Sequence, residues 1–497
     1  MTPSFSWLDW FFVVLYVVLA FGAGIMAKRR ISGISDFLVA GRQIRYHLGV
    51  ATLVATELGL VTMMYFAEQG FRFGFAAFII GVIWAAAYYM IGRTGFVVDR
   101  IRKLEIITIA EYFELRYSRG VRVIGAVLIL IAGILSMGVF LKLGAVFVLH
   151  FIDIPEASLH LLMTILVILV LIYTVFGGMI SVVLSDYVQF AFLAIGMVFT
   201  TIIVFADDGL FVFFSRASSL MGSRGFDPLS HPEYGWPFIL YWSIFAVSGC
   251  VLWQPVAQRI LSAQNPEVNR FIFKSTSMMF LGRAFFPIVW GIGAALYFGT
   301  DSDATAGMPR YLAQILPVGM LGLFGAGMFA AMMSTDSGYI LAWSTIIVQD
   351  LISPFRSSPP TDLQRIRWTR VSVLLIGLLM LIFGIWYQLK DTAFRYLLDV
   401  TTIYYAGGLA VLVGGLYWKR ASTLGAYSAF LCGALLPLAF VVEDVILQAS
   451  GSSSEGTISQ MFSPNVRGVL SFSLGFVGMG VGSLLSGRKE TAPVAEE

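Results

Sequence analysis

The sequence predicts an all-α polytopic membrane protein with thirteen transmembrane helices, and three observations lead there. Of its 497 residues 58% are hydrophobic and 12% charged, with 42 Phe and a mean hydropathy of +0.85, whereas a soluble domain carries roughly 25% charged residues. Thirteen apolar stretches of at least about 17 residues follow one another, long enough for helices to cross a hydrocarbon core and unlike the short alternating strands of an outer-membrane barrel. The basic residues are asymmetric: with the N-terminus outside, 23 of the 32 Lys and Arg fall on cytoplasmic connections and 7 on outer ones. That bias predicts an outer N-terminus and a cytoplasmic C-terminus, with Ser357 inside and Ser452 outside, in a bacterial inner or plasma membrane. The net charge of +3 is the remainder of this asymmetry. It points to the lipid bilayer as partner and gives no reason to invoke nucleic acid.

Residues 1–45 read as a leading transmembrane helix and a cytoplasmic connection. The first span, 5–27, is too long for a signal peptide and ends at Lys28-Arg-Arg30. The connection contains Ser35-Asp-Phe-Leu-Val-Ala-Gly-Arg42, which reads as a structured turn or a short interfacial helix. In span 46–67, Glu57 lies near the middle and Gly59 weakens the helix by about 1 kcal/mol relative to Ala. A carboxylate beside a weak point is expected of a discontinuous helix lining a site. The alternative is a Glu57 paired with Lys142 or Arg283 for structure alone. The segment 93–122 is too polar to be buried, and Ile106 to Arg116 within it reads as a short amphipathic helix on the inner surface. Lys142, inside span 121–149, has a stem long enough to snorkel outward.

Gly177-Gly178 makes a tight turn between spans five and six. Asp186 follows within the next helix, either as an ion ligand or as a partner of the basic inner surface. The stretch 207–236 is rich in Gly, Ser and Pro and carries no domain of its own. In span 237–258, Pro255 removes a helical hydrogen bond and predicts a kink, with Ser248, Trp253 and Gln254 supplying polar edges. Cys250 and Cys432 lie in apolar spans as small hydrophobes. The four His are scattered, so no metal cluster is visible beyond sites for a bare monovalent cation.

The run Gly325 to Ser344 organises the rest. On a helix, Ala331, Ser334 and Thr335 share one face, and their hydroxyls are met by a neighbouring helix, by their own carbonyls or by a bare cation. Asp336 adds a membrane carboxylate, a functional candidate by default. Counting from span two, the first and sixth helices are the interrupted ones (Glu57 with Gly59, then Pro255). Two five-helix repeats, 46–206 and 237–417, would give that pattern. Five is odd, so the second repeat is inverted, which points to alternating access about a midplane site. Residues 418–497 add two trailing helices and a cytoplasmic tail.

From about Asp36 to Trp418 the chain resembles the sodium:solute symporter family. The residues that carry the resemblance are Asp36-Phe-Leu-Val-Ala-Gly-Arg42, Ile109-Ala-Glu-Tyr-Phe-Glu-Leu-Arg116, Gly177-Gly178 with Ser185-Asp186 and Gln189, Gln254-Pro255 with Gln258-Arg259, and Ala331-Met-Met-Ser-Thr335 with Ser344-Thr345 and Asp350. The resemblance implies a LeuT-type five-plus-five inverted repeat with one leading helix. It implies a shared sodium site made by the carbonyls of Ala55, Leu58 and Ala331 and the hydroxyls of Ser334 and Thr335, and, as in some members, a second ion set of Asp186 with Ser337. Glu57 departs from the amide found in sugar-carrying members, and Asp336 adds a further charge. Glu57, Thr62, Lys142, Trp253, Gln254, Arg283 and Asp336 are the candidates for the solute cavity.

The expected activity is sodium-coupled symport of a small polar organic solute, with an amino acid, amine or organic acid favoured. The alternatives are a proton-coupled carrier, a sodium-coupled sugar symporter and a membrane sensor on the carrier fold. No nucleophile motif or phosphate loop suggests an enzyme, and sodium is the only cofactor-like ion implied.

Overall fold

A computed structural model describes residues 5–28, 33–206, 209–389, 392–450 and 456–486. Arg29 and Arg30 of the basic anchor, Ser452 and the basic pair at 488–489 lie outside them. The described chain is helical, with one isolated bridge between Ile44 and Ala263. In order the helices are α1 (Trp7–Lys28), α2 (Ile34–Val39), α3 (Tyr46–Glu57), α4 (Leu60–Phe73), α5 (Ile79–Thr94), α6 (Val98–Lys103), α7 (Ile109–Arg116), α8 (Arg119–Phe151), α9 (Leu159–Val204) and α10 (Gly209–Met221). They continue as α11 (Gly235–Leu252), α12 (Gln254–Ser262), α13 (Pro266–Phe298), α14 (Ala304–Ile315), α15 (Met320–Ile346), α16 (Asp362–Trp386), α17 (Ala393–Tyr417), α18 (Thr423–Ala449), α19 (Thr457–Met461) and α20 (Pro464–Leu485).

Among the described residues, nine helical stretches are long and apolar enough to cross a membrane. The chain is therefore an all-α, multi-pass membrane protein. α15 is not one of the nine, because Ser334, Thr335, Asp336 and Ser337 dilute its hydropathy. It has no need of an apolar coat, since every residue from Ala330 to Ile346 is buried by neighbouring helices.

Both interrupted helices are broken outright. α3 stops at Glu57. Leu58 (φ −86, ψ 51) and Gly59 (φ −71, ψ 155) then turn the chain into α4. The kink expected at Pro255 is a break two residues earlier: Trp253 is extended (ψ 115) and Pro255 sits in the first turn of α12, where its missing N–H was unpaired in any case. The turn expected at Gly177-Gly178 is a kink within α9 at Gly178 (φ 54, ψ −162), a conformation that suits glycine. A side chain there would also strike Phe37, whose carbonyl oxygen would lie 2.8 Å from the added carbon. Phe37 belongs to the expected short helix, α2. With Leu38 and Ile44 it packs on Met179, Val182, Val183 and Leu341 as a compact apolar cluster.

One expectation about a connection is corrected. The amphipathic segment forms α7, capped by the Thr108 hydroxyl, but Ile109, Ala110, Tyr112, Phe113 and Arg116 are buried. Its polar groups are satisfied inside the protein: Arg116 donates to the carbonyls of Gly415, Lys419 and Ala421. The stretch 207–236 contains the 13-residue helix α10, whose Phe213 and Ala217 pack inward.

Ties between distant segments fix the bundle. On α1, Asp9 is fully buried and accepts hydrogen bonds from the N–H groups of Gly319 and Gly322 at 2.8 and 2.7 Å. It thus caps the start of α15 from another helix. On the same helix the Tyr16 hydroxyl donates to the Met333 sulfur and accepts from Gln189. Arg467 of α20 grips Asp399 of α17 in a two-pronged ion pair at 3.1 and 2.6 Å, with its guanidinium 3.8 Å from the Phe440 ring. Near the start of α3, Ile44 exchanges backbone hydrogen bonds with Ser262 and Gln264, and Arg102 donates to the carbonyls of Ala263 and Gln264. The segments leading into α3 and out of α12 are joined at that end of the molecule.

Candidate ion site and solute cavity

The break in α3 leaves its last carbonyls without partners of their own helix, and α15 crosses at this point. The Thr335 hydroxyl donates to the Thr56 carbonyl at 3.0 Å. The approach is close enough that a Cβ on Gly59 would lie 2.5 Å from the Thr335 oxygen. Ala55 and Leu58 belong to the same broken end, and Ala331 is buried one turn from Thr335. A carbonyl at the broken end of α3 thus faces a hydroxyl of α15, the kind of oxygen pairing from which cation sites at unwound helices are built.

The second expected set is arranged differently. Ser334, not Ser337, donates to Asp186, at 2.5 Å. Ser337 turns back to the Ser334 carbonyl at 3.1 Å, the local back-bond open to a serine three residues on in a helix. Asp186 also accepts from Thr52 at 2.6 Å and Thr56 at 3.4 Å, and Arg259 lies 3.5 Å from it. Thr52 and Thr56 stand four residues apart on one face of α3, a spacing visible in the sequence. Arg259 was visible there only as part of the Gln258-Arg259 motif.

Beside the α3–α15 crossing lies a cavity lined by Glu57, Thr62, Trp253, Arg283 and Thr335, together with an aromatic wall of Tyr65, Trp84, Trp242, Tyr339 and Tyr405. Glu57 does face it, and so does its partner: Arg283 approaches Glu57 at 3.6 Å and donates to Thr62 at 3.1 Å, while the Tyr339 hydroxyl donates to Glu57 at 3.4 Å. Glu57 thus lines the cavity and stands beside Arg283 at once. Trp253, in the second helix break, packs edge-on to Tyr339 and Tyr405 with centroids 5.5 and 6.0 Å away. Tyr339 stands one turn beyond Thr335 on α15 and carries no signal of its own in the sequence. The remaining aromatic wall comes from α4, α5, α11 and α17 and has no local sequence signal.

Three solute-cavity candidates lie elsewhere. Lys142 donates to the Tyr387 carbonyl at 2.6 Å just beyond the end of α16, where a cation meets the negative end of a helix. Gln254 is buried in the first turn of α12 and does not line the cavity. Asp336 is buried and does not line the cavity; its Oδ2 has no hydrogen-bond partner among the described residues.

The sequence profile of one family matches residues 37–433, and it is that of the sodium:solute symporters. The chain belongs to the sodium:solute symporter family. Its activity is therefore sodium-coupled symport of a solute, with sodium as coupling ion, and not catalysis. The symporter is 25% identical over 394 residues to the sodium/sialic acid symporter NanT of Aliivibrio fischeri, covering 76% of each chain. It is 24% identical over 457 residues to the sodium/glucose cotransporter of Vibrio parahaemolyticus, covering 85% of this chain and 82% of that one. Among solved structures it is similar to a Na+-coupled sialic acid symporter in a substrate-bound, outward-open state, with a TM-score of 0.80 at 18% identity over 99% of this chain and 100% of that one. It also resembles Mhp1, a nucleobase-cation-symport-1 family transporter, with a TM-score of 0.56 at 13% identity over 90% and 94% of the two chains. Together these likenesses make the fold LeuT-type.

Proposed function

We propose that this symporter carries a sugar or sugar acid with sodium by alternating access. The observation that supports this most directly is the chemistry of the cavity: an aromatic wall around one polar cluster of Arg283, Glu57 and Thr62. A pyranose has apolar C–H faces that lie against aromatic rings and a polar rim that needs a few fixed hydrogen-bonding groups. The similarity to carriers named for glucose and for sialic acid supports the same reading. The preference for an amino acid, amine or organic acid gives way for a physical reason. Glu57 is matched by Arg283, so it does not wait for an ammonium group, and Lys142 and Asp336 lie outside the cavity.

The coupling site in this proposal is the set Ala55, Leu58, Ala331, Ser334 and Thr335. Thr335 touches both the broken end of α3 and the cavity, so a bound sodium would stabilise the arrangement that presents the solute site, and the solute would strengthen sodium binding in return. The architecture proposed for it is thirteen membrane helices: a leading helix within 1–45, inverted repeats 46–206 and 237–417, and two trailing helices in 418–497. The termini would lie outside (N) and in the cytoplasm (C) of a bacterial inner membrane, as the basic residues favour.

The test is a thermal-shift screen of the purified protein against glucose, sialic acid, proline and lactate, each with sodium and with an inert cation in its place. A sugar or sialic acid should raise the melting temperature only when sodium is present. Stabilisation by proline or lactate without any response to either sugar would overturn the solute class, and stabilisation independent of sodium would overturn the coupling.

A further inference from the structure

Asp186 is where a second sodium would be sought, and a fixed positive charge already stands beside it. The carboxylate is fully buried at the meeting point of α3, α9, α12 and α15. Each of its neighbours turns a proton or a positive charge toward it: the hydroxyls of Thr52, Ser334 and Thr56, and the guanidinium of Arg259. Arg259 is 2% exposed and held from three directions. Its Nη2 donates to the Thr56 hydroxyl at 2.6 Å and its Nη1 to the Pro255 carbonyl at 3.1 Å. Gly338, one turn beyond Ser334, leaves the space it occupies, since a Cβ there would lie 3.1 Å from Nη2.

Guanidinium does not lose its proton in a protein, so this positive charge is permanent. We propose that Arg259 is a built-in cation at Asp186, so that the protein binds one sodium ion, at the α3–α15 crossing, and none at Asp186. This inference rests on the sodium-symport reading and goes beyond it to the ion count. Two cations sharing one carboxylate in a dry site would repel strongly at low dielectric, and Asp186 has only one negative charge to share. Of the two helices that meet at the ion site, α15 keeps Thr335 for sodium. It lends Ser334 to the fixed pair as a donor, while the Ser334 lone pairs remain available to the ion.

The measurement is equilibrium binding of radioactive sodium to the purified full-length protein, counted per molecule at saturation. The wild type should bind one ion. Arg259→Gln, which keeps a hydrogen-bonding side chain and removes the charge, should bind two. A wild-type count of two, or a folded Arg259→Gln that still binds one, would overturn the proposal while leaving sodium coupling intact. A count of zero would remove the sodium-symport reading itself, and this inference with it. The wild-type count decides the matter even where the variant does not fold.

Discussion

The contact between Gly59 and Thr335 allows the proposed ion site to be disturbed without substituting any of its residues. Gly59 has φ −71 and ψ 155, a conformation alanine adopts freely, so Gly59→Ala acts through contact alone. The new methyl would lie 2.5 Å from Thr335 Oγ1 and 3.1 Å from both its Cβ and Cγ2. Rotating the side chain moves the oxygen but leaves Cβ in place, so α15 and the α3–α4 break must separate by several tenths of an ångström. Overpacking of this kind costs about 1–3 kcal/mol, and the lower unfolded-state entropy of alanine returns about 0.4–1 kcal/mol. A net loss of about 1–2 kcal/mol in stability without sodium is expected. Because the separation opens the crossing itself, the sodium concentration at half-maximal stabilisation should rise about tenfold, the equivalent of about 1.4 kcal/mol. Thermal unfolding across a sodium series reads both quantities. Adding Thr335→Ala should restore much of the stability, since the crowded atoms are gone, but not the sodium response. A folded Gly59→Ala with a wild-type sodium midpoint would refute the reasoning, as would additive stability losses in the pair of substitutions.

Three further outcomes are expected. Arg283→Met leaves Glu57 buried and unmatched and should cost about 3–5 kcal/mol, whereas Glu57→Gln combined with Arg283→Met should cost clearly less than the sum of the single changes by the same unfolding assay. Arg467→Met breaks the buried pair with Asp399 that ties α20 to α17 and should lower stability by a similar amount, with detergent-solubilised yield falling in parallel and partial recovery in the Arg467→Met, Asp399→Leu combination. In a background lacking Cys250 and Cys432, a cysteine at Ser357 should react with an impermeant thiol reagent only from the cytoplasmic side and one at Ser230 only from outside; both residues are exposed, and labelling of both from one face would contradict the proposed topology.

The sequence disclosed the site where local chemistry announces itself and missed it where partners come from afar. Glu57 with Gly59 marked the α3 break correctly, because a weak point and a buried carboxylate are both local properties. Pro255 marked the second break to within two residues, and the offset follows from proline's comfort in a first helical turn. That Ser334 is the α15 hydroxyl donating to Asp186 was not legible, because helix spacing tells which residues share a face, not which face meets α9. Lys142 was unreadable for a similar reason, since its acceptor is a backbone carbonyl 245 residues away. Hydropathy also undervalues the working helices: α15 and the broken α3 are too polar or too short to register, because protein rather than lipid surrounds them.

The cap that Asp9 places on α15 has a consequence for how the chain is made. Its amide partners, Gly319 and Gly322, are synthesised 310 and 313 residues later, and at about 5–20 residues per second that is a wait of roughly 15–60 s. Through that interval the Asp9 carboxylate has only Ser6, whose N–H and hydroxyl reach it at 2.9 and 2.6 Å. A membrane carboxylate so poorly matched is held near the water boundary until its partners arrive. α1 is therefore made well before the segment that seats Asp9, and that part of its docking waits for α15.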